Sequence, residues 1–139
     1  MPLLGSIAVF MSAFGLLVTS QAGQGAVPCG TWTVGGIWTT RQSNTAPVVK
    51  FTFRQDGSVV RGSAMVGPAS EDFHGTLVGT IKDDRLVFVV TWNQRTSTGQ
   101  LLKGHYAGRV SKGHITGSTY ALNAPEQAVW SAVGAARCR

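Results

Sequence analysis

The sequence predicts a single all-β domain: an antiparallel up-and-down (meander) barrel, roughly eight-stranded, closed by a disulfide between its ends. Three observations predict it. The first is a pattern that recurs three times between residues 73 and 120: Gly75-Thr76-Leu77-Val78-Gly79, Gly104-His105-Tyr106-Ala107-Gly108 and Gly113-His114-Ile115-Thr116-Gly117. Residues two apart in a strand share a face, so each triplet sets a large apolar side chain between two glycines on one side. Phe73 and Ile81 extend the first row and Leu102 and Val110 the second, while the intervening residues are mostly polar. A core on one side and water on the other is the signature of an antiparallel sheet. Inward glycine marks sharp bending or close approach of a neighbouring strand, which a small barrel requires. The second observation is a succession of tight-turn signals with no helical periodicity between them. The third is a pair of cysteines, Cys29 and Cys138, at opposite ends of the domain.

The chain opens with an uncharged apolar run over residues 1–22 that ends in Ser20-Gln21-Ala22. This reads as a secretory signal peptide cleaved between 22 and 26, although its start lacks the usual Lys or Arg. A membrane anchor is the competing reading; Gly5, Ser6, Ser12 and Gly15 interrupt the run and no charge flanks it. The barrel domain then occupies residues 29–139. Export places the cysteines in an oxidising compartment, where two such residues at the ends of a small domain pair. Lipidation of Cys29 fits less well, because Val27 and Pro28 precede it, and zinc binding less well still, because no close second ligand accompanies either thiol.

Residues 30–40 form a first strand bent at Gly35-Gly36. Residues 48–55 alternate, with Val49, Phe51 and Phe53 on one face, and Asp56-Gly57 turns the chain into 59–65. Strands over 73–82 and 85–92 flank a turn at Asp83-Asp84. Strands over 100–110 and 114–122 flank Ser111-Lys112-Gly113, and 127–138 is the last. Sequential pairing is the least costly topology, and closure removes exposed edges.

Catalysis is not expected. All six acidic residues fall in predicted turns or loops, whereas paired catalytic carboxylates must converge across a cleft. No phosphate loop or nucleophile elbow is present, no free cysteine remains, and no cofactor is implied. His74, His105 and His114 fall on polar strand faces; His105 and His114 flank a hairpin, and weak surface metal binding is the alternative to simple solvation. No dedicated metal site is expected. The 12 basic residues exceed the acidic ones by six and are spread along the chain. That favours anionic surfaces, and the lack of a basic cluster interleaved with aromatics argues against nucleic acid. Trp32 is expected in the core. Trp38, Trp92, Tyr106, Tyr120 and Trp130 are the candidates for lining the barrel mouth and stacking on a flat ligand or sugar.

Gly30-Thr31-Trp32 on a first strand resembles the calycin superfamily, and the later strands are more similar to avidin and streptavidin than to lipocalins. Phe88-Val89-Val90-Thr91-Trp92-Asn93 resembles the avidin strand that ends in a ligand-contacting tryptophan. Glu126-Gln127-Ala128-Val129-Trp130-Ser131 resembles the segment whose tryptophan is lent to a neighbouring subunit. The resemblance implies that Trp32 closes one end beneath a basic residue, here Arg137, and that a ligand enters the other. It departs where biotin would be held: the polar first-strand segment reads Thr33 to Ile37, the late aspartate is Cys138, and Tyr120 replaces a tryptophan.

The expected function is therefore a secreted binding protein for a small ligand or glycan at the barrel mouth. The alternative is a protein-interaction or structural module, an inhibitor or envelope component with a filled lumen. Each missing hydrogen bond to a buried polar head costs about 1–3 kcal/mol. Calorimetry with biotin is thus expected to detect no tight binding, and a stoichiometric, high-affinity isotherm would contradict this alignment of the first strand.

Overall fold

A computed structural model describes residues 29–67, 73–122 and 127–139; the apolar run expected to be a signal peptide lies outside them. Among the described residues there is no helix. The strands are β1 (Trp32–Thr33), β2 (Gly36–Gln42), β3 (Thr45–Asp56), β4 (Val59–Val66) and β5 (His74–Lys82), then β6 (Arg85–Arg95), β7 (Leu101–Ser111), β8 (His114–Ala121), β9 (Gln127–Val133) and β10 (Arg137–Cys138). Strands β2 to β9 form a closed eight-stranded barrel in which each pairs antiparallel with the next and β9 returns to β2.

The three glycine-flanked rows do point inward, and the reason is steric. A Cβ on Gly62 would lie 1.7 Å from the Thr52 carbonyl oxygen, one on Gly79 2.0 Å from that of Val87, and one on Gly117 1.8 Å from that of Ala107. At each point the neighbouring backbone crosses the space a side chain would take. Strong coiling of this kind closes eight strands into a narrow tube. Gly113 differs from the others: with φ +79 it belongs to the β7–β8 turn rather than to a strand.

Inside the tube the aromatic side chains pack together. Phe88 stacks on Tyr106 at 5.0 Å between ring centroids with only 3° between planes. Phe51 meets both edge-on at 5.1 Å, and Trp130 meets Phe88 and Tyr106 edge-on at 5.8 and 5.5 Å. The indole of Trp130 fits because Gly108 faces it; a Cβ there would come within 2.8 Å of Trp130 Cζ2.

The first and last predicted strands each divide in two. Trp38, fully buried, plugs the barrel end and donates its Nε1–H to the Val34 carbonyl at 2.8 Å. Gly134 lies against the same ring, so that any Cβ would fall 2.4 Å from Cδ2. The chain must step around this plug, at Val34–Gly35 on entering and after Val133 on leaving. The segments beyond pair with each other as β1 and β10, outside the barrel. Cys29 and Cys138 are bonded across this ribbon, with Cα atoms 5.5 Å apart and a sequence separation of 109. A loop of that length is worth about 4–5 kcal/mol in the chain-entropy view.

Gly117→Ala and Gly57→Ala separate steric from conformational roles. Gly57 (φ +58) faces open space, so alanine there is expected to cost about 1–2 kcal/mol for the left-handed backbone. At Gly117 the obstacle is backbone that cannot rotate away, and the cost is expected to reach about 3 kcal/mol or more. Urea denaturation measures both; similar small costs would mean that the strands can part at Gly117.

Candidate functional site

The two ends of the barrel are built differently. At the plugged end β3–β4, β5–β6 and β7–β8 are joined by two-residue turns, with positive φ at Gly57, Asp83 and Gly113. At the other end the connections from β4 to β5, β6 to β7 and β8 to β9 are longer. Below this second end the aromatic packing stops short of the rim, leaving a cavity of about 460 Å³. That volume is within the roughly 300–1,000 Å³ of small-molecule sites.

Strand parity chooses the wall. Val49, Val66, Phe73, Trp92, Leu102 and Ala121 present apolar groups to the cavity. Phe73 and Trp92 face each other at 5.1 Å, tilted by 47°. The Trp92 indole lies beside Gly104, its Nε1 3.6 Å from where a Cβ would be, and this N–H has no hydrogen-bond partner among the described residues. Tyr106 forms the floor. Its hydroxyl donates to Gln42 Oε1 and hydrogen-bonds the Thr119 side chain, while Gln42 Nε2 donates to Asn44 Oδ1 at 3.3 Å. A neutral polar cluster thus sits at the base of apolar walls. Among the described residues that border the cavity, Lys103 is the one with an ordinarily charged side chain, and none is a carboxylate.

Of the five aromatic candidates, Trp92, Tyr106 and Tyr120 border this cavity. Tyr120 touches its edge, and its ring stacks on His105, the cross-strand partner, at 4.8 Å. Trp130 lies beneath the floor, with its Nε1–H shared between the carbonyls of Ala107 (3.2 Å) and Ser118 (3.0 Å). Trp38 is at the far end. Closure there rests on Trp38, while Trp32 is only partly buried against the core and Arg137, exposed, pairs through its backbone with Thr33. His105 and His114 do not approach each other: the register sets His105 opposite Tyr120 and His114 opposite Ser111, toward the two ends of one hairpin. Gln42 and Thr119 were not among the candidates. Gln42 carries a legible signal, since it shares the inward parity of Trp38 and Thr40 on β2 and is a polar residue on a buried face.

The closed eight-stranded antiparallel meander is consistent with a calycin-like fold in general architecture. Searched against protein-family models, curated proteins and solved structures, the chain matches none of them.

Burial pushes the Tyr106 phenol from 10.0 up to about 12, against the smaller opposing effects of Thr119 and Gln42. The folded state thus prefers the neutral phenol. The stabilisation, roughly 2–3 kcal/mol, is fully present below pH 10 and is lost as pH rises through about 12. The difference in absorbance titration between wild type and Tyr106→Phe isolates this group. It is expected to titrate near pH 12; a midpoint near that of free tyrosine would mean that the floor is wet.

Proposed function

We propose that this chain is an exported, non-catalytic binding protein that takes one small ligand into the barrel mouth. The observation that carries the reading is the cavity of about 460 Å³, with apolar walls and a neutral polar floor. Such a lining favours a ligand with a flat or branched apolar body and an uncharged hydrogen-bonding group over a free sugar. The body would lie between Phe73, Trp92 and Leu102. An acceptor on the ligand would meet the Trp92 N–H, and its remaining polar atoms Gln42 and Thr119. Burial of the Phe73–Trp92 pair would supply most of the affinity, because aromatic walls contribute apolar area and geometry together. Export is supported by the disulfide, which persists in oxidising compartments, and by the apolar run at residues 1–22. The aromatic filling of the closed-end half favours the second reading, a module whose loops meet another protein, but it stops below the mouth.

The neutral apolar probe N-phenyl-1-naphthylamine tests the assignment. It is expected to bind with a stoichiometry of one. Ala121→Trp, which fills the mouth, is expected to weaken it by about tenfold or more, about 1.4 kcal/mol. Val129→Trp, on the outer face, should leave it unchanged. Binding that ignores the Ala121 substitution would move the site elsewhere, and no binding of neutral apolar probes at all would favour the loop-borne module.

A further inference from the structure

Away from the mouth, the outer face of β2–β4 carries mostly positive charge. Arg41 on β2, Lys50 and Arg54 on β3, and Arg61 on β4 all occupy outward, exposed positions. Arg54 and Arg61 are direct cross-strand partners. Like charges placed opposite each other in a sheet are destabilising, and no ion pair among the described residues relieves them. Among the described residues the one salt bridge joins Arg109 to Asp84, on β7 and the β5–β6 turn. Asp56, at the end of β3, is paired in register with Val59 and makes no ion pair with any of the four.

Hydroxyls fill the spaces between these cations. Thr52 pairs with Ser63, and Ser63 in turn with Thr76, giving a row across three strands beside the Arg54–Arg61 row. Lys50 lies on the other side of that row and faces Thr39 on β2. Lys50 and Arg54, four residues apart, stand about 13 Å from each other along the strand. On this face cations are thus interleaved with neutral hydroxyl and apolar groups, Ile37 beside Thr52 and Met65 beside Lys50, over a length suited to an extended chain.

We propose that the outer face of β2–β4 binds an acidic polysaccharide. Its sulfate or carboxylate groups would engage Arg41, Lys50 and the Arg54–Arg61 pair, and its sugar hydroxyls Thr52 and Ser63. Charge complementarity identifies the occupant: guanidinium groups offer paired donors to planar carboxylates and to sulfates, and an anion between Arg54 and Arg61 turns a repulsion into a bridge. A single-stranded nucleic acid would call for aromatic stacking platforms, whereas the large outward side chains on these strands apart from the cations are Ile37, Val59 and Met65. A bilayer surface would call for a continuous apolar anchor, whereas Ile37 on β2 and Met65 on β4 are kept apart by Thr52 and Lys50 on β3.

The test compares two charge-matched proteins. One carries Arg41→Ser, Lys50→Thr, Arg54→Ser and Arg61→Ser; the control carries Lys82→Gln, Arg85→Gln, Lys112→Gln and Arg139→Gln. Each loses four of the 12 basic residues. Heparin and polygalacturonate are the probes, titrated at about 150 mM salt, where exposed charges are screened beyond roughly 8 Å. The face variant is expected to bind at least one of them about tenfold more weakly than wild type, and the control within about threefold. Equal weakening in both would reduce the effect to net charge and overturn the proposal. So would binding of poly(dT), or of vesicles rich in phosphatidylserine, that is as tight as heparin binding and depends on the same four residues. Near-ultraviolet circular dichroism verifies folding. Should the fourfold variant fail that check, Arg54→Ser alone is expected to weaken binding about threefold while leaving Tm unchanged or raised; unchanged binding would overturn the proposal.

Discussion

Everything in this barrel depends on how closely its strands approach one another at the inward glycines. Where Gly62, Gly79 and Gly117 stand, the adjacent backbone occupies the place of a side chain. That proximity draws the sheet into a tight coil, and the coil determines the bore of the tube. A narrow bore can be filled by a few large rings, which is what Phe51, Phe88, Tyr106 and Trp130 do. Packing of this kind is rigid because each ring is held edge-on or stacked by several others. Tyr106 consequently serves as both the top of the packed region and the bottom of the open one, and its hydroxyl, tied to Gln42 and Thr119, is the boundary between them.

The two ends of the barrel then take separate duties. The plugged end holds Trp38, the short turns, the β1–β10 ribbon and the disulfide. The open end holds the longer connections and the cavity. Loops tolerate variation because they contribute little to the core, so a mouth built from them can be reshaped while the rings below keep the tube intact. The basic face of β2–β4 belongs to neither end. It uses outward positions that strand alternation leaves free of any structural duty.

Period two made the architecture legible in the sequence, because in a barrel a single parity separates inside from outside all the way around. Leu77, Tyr106 and Ile115 are inward as their spacing implies, and the terminal cysteines meet. Parity says nothing, however, about depth. Trp38, Trp92 and Trp130 have the same inward signature, yet one plugs the far end, one lines the cavity and one lies under its floor. Depth follows from the register between strands, and register depends on turns and bulges such as the shift between Thr40 and Gln42. Register likewise decides that His105 and His114 lie toward opposite ends of their hairpin. The division of the last strand was hidden for a different reason: it answers to the Trp38 ring, which Gly134 meets from the far end of the chain.

The ribbon of β1 and β10 has a consequence for how the protein can be held. Residues 29 and 138 are covalently joined at the plugged end, so any chain extending beyond residue 29 or residue 139 departs from there, at the pole opposite the mouth. A barrel tethered to a surface or fused to another domain through either side of that bond would point its opening outward. Both attachments are equivalent in this respect, because the crosslink makes them one anchoring point. Tension applied between the two would be carried by the sulfur–sulfur bond rather than by the sheet, leaving the cavity unloaded.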